Sequence, residues 1–239
     1  MTKILVIQHE EAVGIGRLGA WLEDAGAQLV MCRPDQGEAV PAGFDDVDGL
    51  LVLGGTAAPQ RDDHWPWLPA VRALQKRAVD GTFPALNICL GAQLCAVAYG
   101  VDVFRRDKPQ VGVHQLTLRP EASQDPLFAG LPPQPKAVLW HQEEIAGVPQ
   151  GAVHLVEGTD APVQAFRMGE FSWSLQFHPE PDEHTVRAWA AAEGSLVPQA
   201  GESTEQVLTG FRDQAAEIEA SFRPLAERFV DVCRAGGAA

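Results

Sequence analysis

A cysteine at the end of an apolar run, followed at once by a stretch of small residues, is the feature of this sequence best suited to chemistry. Residues Asn87-Ile88-Cys89-Leu90-Gly91-Ala92-Gln93 join Pro84 to Ile88, which has the length and composition of a buried strand, to Gly91 to Tyr99, which reads as a helix. A cysteine on the sharp turn between such elements has its sulfur held out at the end of a sheet. There the N–H groups and positive dipole end of the next helix favour the thiolate over the thiol. This is the geometry of a nucleophile elbow with sulfur in place of serine.

Two further motifs can complete such a site. Gln176-Phe177-His178-Pro179-Glu180 closes a strand-like run. His178 can remove the thiol proton or hold the thiolate, and later protonate a leaving amine. Glu180, two residues on and across a stiffening proline, can fix the imidazole tautomer and steady its positive form. Alone, His-Pro-Glu is weak, and a lone surface histidine is its more common explanation. Val52-Leu53-Gly54-Gly55-Thr56 is the other motif, with two glycines just past a buried strand. They let backbone approach a ligand closely, and the N–H of Gly55 together with that of Leu90 can cradle a tetrahedral oxyanion. Taken alone, the pair is more often a plain tight turn.

The elements around these motifs predict an α/β fold. Lys3 to Gln8, Gln28 to Arg33 and Gly49 to Leu53 read as strands, as does the segment before Cys89. Leu18, Trp21, Leu22 and Ala25 recur at helical spacing with Gly26 as the stop, and Trp67 to Val79 forms an amphipathic helix. Apolar strands alternating with helices imply a parallel sheet covered on both faces, with reactive groups outside the carboxyl ends of the strands. From Val101 to Phe177 the pattern changes to short strand candidates at Val113 to Leu118, Ala137 to Trp140, Val153 to Val156, Val163 to Phe166 and Phe171 to Gln176. Their turn-rich spacing predicts antiparallel pairing at one side of the sheet. Asp182 to Ala192 reads as a helix. Val207, Phe211, Ala215, Ile218 and Phe222 keep helical spacing, and Leu225, Phe229 and Val232 continue it past Pro224. The expected division is a main domain over 1–192 and a helical extension over 193–239, packed on the core or serving an oligomer contact. The Gly236-Gly237-Ala238-Ala239 tail is expected to fray.

Composition narrows the classes. With 239 residues, 46% hydrophobic and 21% charged, the chain can bury a full core, and its net charge of −14 argues against a nucleic-acid partner. No apolar stretch approaches the roughly 20 residues of a membrane span. Met1-Thr2-Lys3 leads straight into a strand without a cleavage-type sequence, and Cys32, Cys89, Cys95 and Cys233 lack disulfide-framework or metal-site spacing. A cytoplasmic location is the expectation. His9, His64, His114, His141, His154 and His184 do not cluster as metal ligands. Cys95 reads as a small core residue, Trp65 and Trp67 as packing residues, and Asp62-Asp63 as a cap for the following helix.

Elbow, Gly-Gly loop and His-Pro-Glu together resemble the class I, triad-type glutamine amidotransferase family. That family's elbow reads G-x-C-x-G-x-Q, and its Gly-Gly loop lies upstream. The closest likeness is to the stand-alone group similar to the glutaminase domain of GMP synthase. The resemblance runs over about residues 3–190 and includes Arg33-Pro34-Asp35, Gly54-Gly55, Trp67-Leu68, Trp140-His141 and the closing His178-Pro179-Glu180. It implies a three-layer, flavodoxin-like fold with a mostly parallel sheet. It also implies Cys89 as nucleophile, His178 as acid and base, Glu180 as its orienting partner, and Gly55 and Leu90 as oxyanion donors. Gly54, Gln93 and the backbone around Gln142 and Glu143 would meet the substrate. The chain departs from the pattern at four places. Asn87 replaces a glycine, Thr56 a proline, Gln110 the glutamate of a Pro-Glu-x-Gly, and His141-Gln142-Glu143 stands for His-Gly-Asp. A side chain at 87 must fit under the elbow, so a less tight turn is expected there.

The implied reaction is hydrolysis of glutamine to glutamate and ammonia through a thioester on Cys89. No metal or organic cofactor is expected, because nucleophile, base and oxyanion donors are all in the chain. With no synthetase domain or P-loop pattern, ammonia would pass to a separate synthetase subunit. The alternative is a stand-alone hydrolase of γ-glutamyl peptides or γ-glutamyl amines; a third reading is a binding or regulatory module of the same fold. The chaperone- and peptidase-like relatives place histidine directly after the cysteine, where this chain has Leu90. The C-terminal helical segment and tryptophans taken as exposed leave room for a homodimer.

Overall fold

A computed structural model describes residues 1–192 and 195–236. In chain order its elements are β1 (Thr2–Ile7), α1 (Gly16–Asp24), β2 (Ala27–Cys32), β3 (Gly49–Val52), α2 (Leu68–Asp80), β4 (Ala85–Ile88), α3 (Leu90–Ala98), β5 (Val103–Gln115) and β6 (Thr117–Leu118). They continue with β7 (Lys136–Ile145), β8 (Val153–Glu157), β9 (Ala165–Met168), β10 (Ser172–Leu175), α4 (Glu183–Ala192), α5 (Leu196–Gln199) and α6 (Thr204–Gly236). Eight strands form one sheet in the order β2-β1-β3-β4-β10-β9-β8-β6. The first five run parallel and the last three alternate.

Alternation along the parallel strands builds the layers, since successive side chains leave a strand on opposite faces. Ile4, Val6, Leu51, Leu86 and Ile88 share one cluster with Leu18 and Leu22 of α1 and with Phe222, Leu225 and Phe229 of α6. Leu5, Ile7, Leu50, Val52 and Ala85 join the other cluster, with Val71 and Leu74 of α2 and Leu90 and Leu94 of α3. The result is the expected α/β fold with a mostly parallel central sheet sandwiched between helical layers. α1 stops where Gly26 takes φ 93°, a conformation open to glycine.

The helical spacing of the C-terminal segment becomes one helix, α6, running through Pro224. A proline there removes an N–H from the helical ladder. Burial of Phe222, Leu225 and Ala226 on either side holds the helix together. Phe229 meets Trp173 edge-on at 6.5 Å, and Phe222 lies 5.1 Å from Phe177. Cys233 sits so close to Gly49 that a Cβ there would strike its sulfur.

Several expectations need correction. Antiparallel strands do extend one side of the sheet, but β5 and β7 leave it and pair as a separate two-stranded sheet. The predicted strand from Val113 to Leu118 is the tail of β5 plus the two-residue β6. The first half of β5, Val103-Phe104-Arg105-Arg106-Asp107-Lys108-Pro109, is mostly exposed and shows no apolar pattern. A register shift between Arg105 and Gln110 accommodates Pro109. Asp62 and Asp63 do not cap α2, whose N-cap is Trp67; Arg72 and Arg61 hold them in ion pairs instead. No tryptophan is exposed: Trp21, Trp140, Trp173 and Trp189 are buried, and Trp65 and Trp67 are half-buried. Cys95 is buried as expected, and burial pushes its thiol up to about 11. The frayed tail expected over Gly236–Ala239 falls outside the described residues from Gly237 onward, while Gly236 ends α6. Among the described residues no helix is long and apolar enough to cross a membrane, and no three His, Cys, Asp or Glu side chains gather as metal ligands.

Because Phe222 anchors α6 against Phe177, the residue before His178, Phe222→Ala is expected to cost about 3–5 kcal/mol. Urea denaturation of the variant against the parent chain measures this, and a loss below about 1 kcal/mol would contradict the packing described.

Candidate active site

Cys89 occupies the turn between β4 and α3 at φ 50°, ψ −104°. Positive φ is unusual outside glycine, and such conformations cost about 1–3 kcal/mol unless the surroundings enforce them. Several contacts enforce this one. The Cys89 N–H donates to the Leu175 carbonyl of β10 at 2.7 Å, and its carbonyl accepts from Gln93 N–H at 2.9 Å in the first turn of α3. Gly91 lies against β3, where a Cβ would come within 2.5 Å of the Val52 carbonyl oxygen.

Asn87, which replaces the expected glycine, is wholly buried beneath the elbow and fully used. Its Oδ1 accepts from Gln75 Nε2 at 2.9 Å, and that nitrogen also donates to the Gly91 carbonyl at 2.7 Å. Its Nδ2 donates to the Trp173 carbonyl at 2.9 Å and to Ser174 Oγ at 3.3 Å. The side chain therefore fits beneath the elbow and ties the turn to α2 and β10.

His178 and Glu180 follow the end of β10. The His178 N–H donates to the Val138 carbonyl at 2.8 Å. Its Nδ1 pairs with Glu180 Oε1 at 2.5 Å, and both residues are buried. The Trp189 indole of α4 stands edge-on to the imidazole, with centroids 4.8 Å apart. Burial by itself would lower the pKa of His178. The Glu180 carboxylate and the Cys89 sulfur outweigh it and hold the imidazole well above its ordinary value. An imidazolium beside a thiolate is the pairing that activates a cysteine.

Gly54 backs directly onto Cys89 and His178: a Cβ there would lie 3.1 Å from His178 Cε1 and 3.5 Å from Cys89 Cβ. Gly55 is pressed between Leu90 and His9, with contacts of 3.0 Å and 3.1 Å to a Cβ in its place. Leu90 opens α3, so its N–H is among those without a partner inside the helix. Thr56, where the family pattern carries proline, has its N–H satisfied by Glu10 Oε1 at 2.5 Å and its hydroxyl by Glu10 Oε2 at 3.1 Å.

One cavity of about 130 Å³ joins these parts. Cys89, His178, Gly55, Gln93, Gln142 and Glu143 line it, along with Val13, Thr56, Ala57, Arg105, Trp140, His141, Trp189 and Leu196. Gly54, expected at the substrate, lies behind Cys89 and His178 and is not among the lining residues. Gln93 Nε2 donates to the Glu143 carbonyl at 3.1 Å and to Gln176 Oε1 at 3.3 Å, and Gln176 Nε2 reaches Cys89 Sγ at 3.7 Å. His141 donates from Nδ1 to the Glu143 carbonyl at 2.9 Å, and burial lowers its pKa to about 3, so it stays neutral.

Sequence reasoning missed Gln176, Arg105 and the Trp189 wall. Gln176 had a signal: it lies two residues before His178 on the same strand exit, a spacing that puts both on one face. Arg105 had none, because nothing in the pattern of residues 103–109 marks a strand.

Comparison with known proteins places the fold and the family. The chain superimposes on a glutamine amidotransferase from Thermotoga maritima with a TM-score of 0.86, covering 96% of this chain and 98% of that one at 20% identity, a likeness of fold. A glutamine amidotransferase from Methylobacillus flagellatus aligns with a TM-score of 0.85 at 26% identity over 99% of this chain and 95% of its own. Residues 20–188 match the model of the glutamine amidotransferase class-I family, and the chain belongs to that family. Among its relatives, the glutamine amidotransferase-like protein YfeJ of Salmonella typhimurium is 29% identical over 181 residues, 74% of this chain and 75% of its own. A glutamine-hydrolyzing GMP synthase subunit from Thermoplasma acidophilum is 30% identical over 145 residues, 59% of this chain and 67% of its own.

Two outcomes follow from the site. Gln75→Leu removes the donor shared by Asn87 and Gly91 and is expected to cost about 1–3 kcal/mol for each buried acceptor left unpaired. Its melting temperature should fall; an unchanged value would mean the network does not brace the elbow. Glu180→Gln removes the carboxylate that raises His178. A raised histidine contributes stability that is fully present below its ordinary value of 6.5 and is lost as pH climbs through the folded-state value. The stability gap between parent and Glu180→Gln should therefore be widest near about pH 6 and close in alkaline buffer. Denaturation curves at the two pH values test this, and a gap that widens with pH would contradict it.

Proposed function

We infer that the chain hydrolyses a γ-glutamyl amide, with glutamine as the leading substrate, through a thioester on Cys89. The Cys89 thiolate attacks the amide carbonyl, and the negative charge that develops on oxygen is received by the Gly55 and Leu90 N–H groups. The His178 imidazolium gives its Nε2 proton to the departing nitrogen, which leaves as ammonia when the substrate is glutamine. Neutral His178 then takes a proton from water, hydroxide adds to the thioester, and glutamate departs as the thiolate reforms. Glu180 holds the imidazole by Nδ1 throughout. In this reading residues 1–192 carry the reaction and 193–239 are a helical extension.

The observation that carries this reading is that a positive-φ cysteine and His178, itself paired with buried Glu180, line one cavity. The name of the GMP synthase relative specifies glutamine hydrolysis and describes one subunit of that enzyme. It supports glutamine as substrate and, for the ammonia released, an acceptor site on a separate synthetase subunit.

Steady-state release of glutamate from glutamine, γ-glutamyl peptides and γ-glutamyl amines tests the proposal. Cys89→Ala is expected to lower turnover by at least about a thousandfold with an unchanged circular dichroism spectrum. It should also abolish labelling by 6-diazo-5-oxo-norleucine. Full activity in that variant would overturn the thioester route.

A further inference from the structure

The cavity that holds Cys89 carries one charge of each sign on the wall formed by β5 and β7. Among the described residues lining it, Arg105 is the one arginine or lysine and Glu143 the one carboxylate. The two are direct register partners across the strands, at the last regular pair before the shift toward Gln110. Arg105 Nη1 donates to Glu143 Oε1 at 3.0 Å, and Nη2 donates to Gln142 Oε1. The backbone of Glu143 is fixed in turn, since its carbonyl accepts from Gln93, one turn along the helix that starts at Cys89, and from His141.

We propose that Arg105 is a specificity residue that binds the α-carboxylate of the γ-glutamyl group, with the Glu143 carboxylate opposite it receiving the α-ammonium. The inference rests on the γ-glutamyl reading above and names what recognises the amino-acid end of that substrate. A γ-glutamyl group presents its amide carbonyl at one end and a zwitterion at the other. The cavity presents sulfur at one place and a guanidinium–carboxylate pair at another. A guanidinium has five N–H donors in a planar fork suited to carboxylates, and the contacts to Glu143 and Gln142 use two of them. Arg105 is two-thirds exposed, at 66% of its side chain. Glu143 is less exposed, at 23% of its side chain, but the pair opens to solvent on the arginine side. Such a pair contributes little to stability, so its members can exchange each other for the substrate's charges. In a chain of net charge −14, a fixed cation at the mouth also offsets the repulsion an anionic group would meet on approach. The plain alternative is that the pair only braces β5 against β7. Such a role predicts no effect on which substrate is chosen.

The test pairs the best substrate from the glutamate-release panel with its counterpart lacking the α-carboxylate, which for glutamine is 4-aminobutanamide. The parent chain should favour the full substrate in kcat/KM by about a hundredfold or more. Arg105→Gln should bring that ratio within about tenfold, and Arg105→Lys, a point charge without the fork, should fall between the two. Glutaramic acid, which lacks the α-ammonium, makes the matching comparison for Glu143→Gln. An Arg105→Gln ratio equal to the parent's, with Cys89-dependent turnover intact, overturns this inference and leaves the reaction standing. Absence of both turnover and Cys89 labelling in the parent chain overturns the reaction and this inference together.

Discussion

Cys89 is held in a backbone conformation that an L-residue resists, and the placement of the other groups follows from that restraint. At φ 50° the chain turns from β4 into α3 within one residue. The turn lifts the sulfur out of the sheet and points the first N–H groups of α3 toward the same space. The strain, of order 1–3 kcal/mol, is offset by parts drawn from four elements. β10 accepts the cysteine N–H, β3 leaves room only for a glycine at 91, α2 sends Gln75 beneath the turn, and Asn87 bonds to both α2 and β10. A cysteine braced from so many directions cannot relax by moving one neighbour.

The electrostatics add a second cost that the fold must meet. A carboxylate, an imidazolium and a sulfur buried together are expensive to desolvate, and they persist only as partners. Glu180 faces His178 with one oxygen, while its other oxygen is buried without a hydrogen bond. Arg17 lies nearby. Its backbone N–H donates to the Glu180 carbonyl, and its guanidinium sits between the rings of Trp21 and Phe211. Burial lowers the pKa of Arg17, and the charges of Glu219, Asp182 and Glu180 work against that lowering. Phe211 and Glu219 belong to α6. The C-terminal helix thus reaches the Cys89–His178–Glu180 group by two routes, through Arg17 to Glu180 and through Phe222 to the residue preceding His178.

How far the sequence can be read depends on whether local pattern and final environment agree. β1, β3 and β4 are largely apolar runs because both faces are covered, so they are legible, and Cys89 with them. His178 and Glu180 are legible because a strand, a proline and two titratable side chains stand within a few residues. β5 is not. Its first half is charged and exposed, and its pairing depends on β7, more than 20 residues on, and on an irregularity at Pro109. Asn87 is legible as a departure, but its bonding is not, because its partners Gln75 and Ser174 are distant in sequence.

The same division explains where this chain departs from the family pattern. The parallel sheet supplies the cysteine and its histidine–glutamate pair, and there the pattern is kept apart from the well-bonded Asn87. The other departures fall on the cavity rim or the β5–β7 sheet: Thr56, Gln110 and Gln142-Glu143. Gln110 stands directly across from His141 in register, and both are buried. A carboxylate at position 110 would face the imidazole across the strands and raise its pKa as Glu180 raises that of His178. With an amide there, burial acts on His141 with no carboxylate to oppose it, and the value falls to about 3. Gln110 therefore brings no charge to the histidine facing it, and Arg105 and Glu143 are the charged pair that the wall turns toward the cavity.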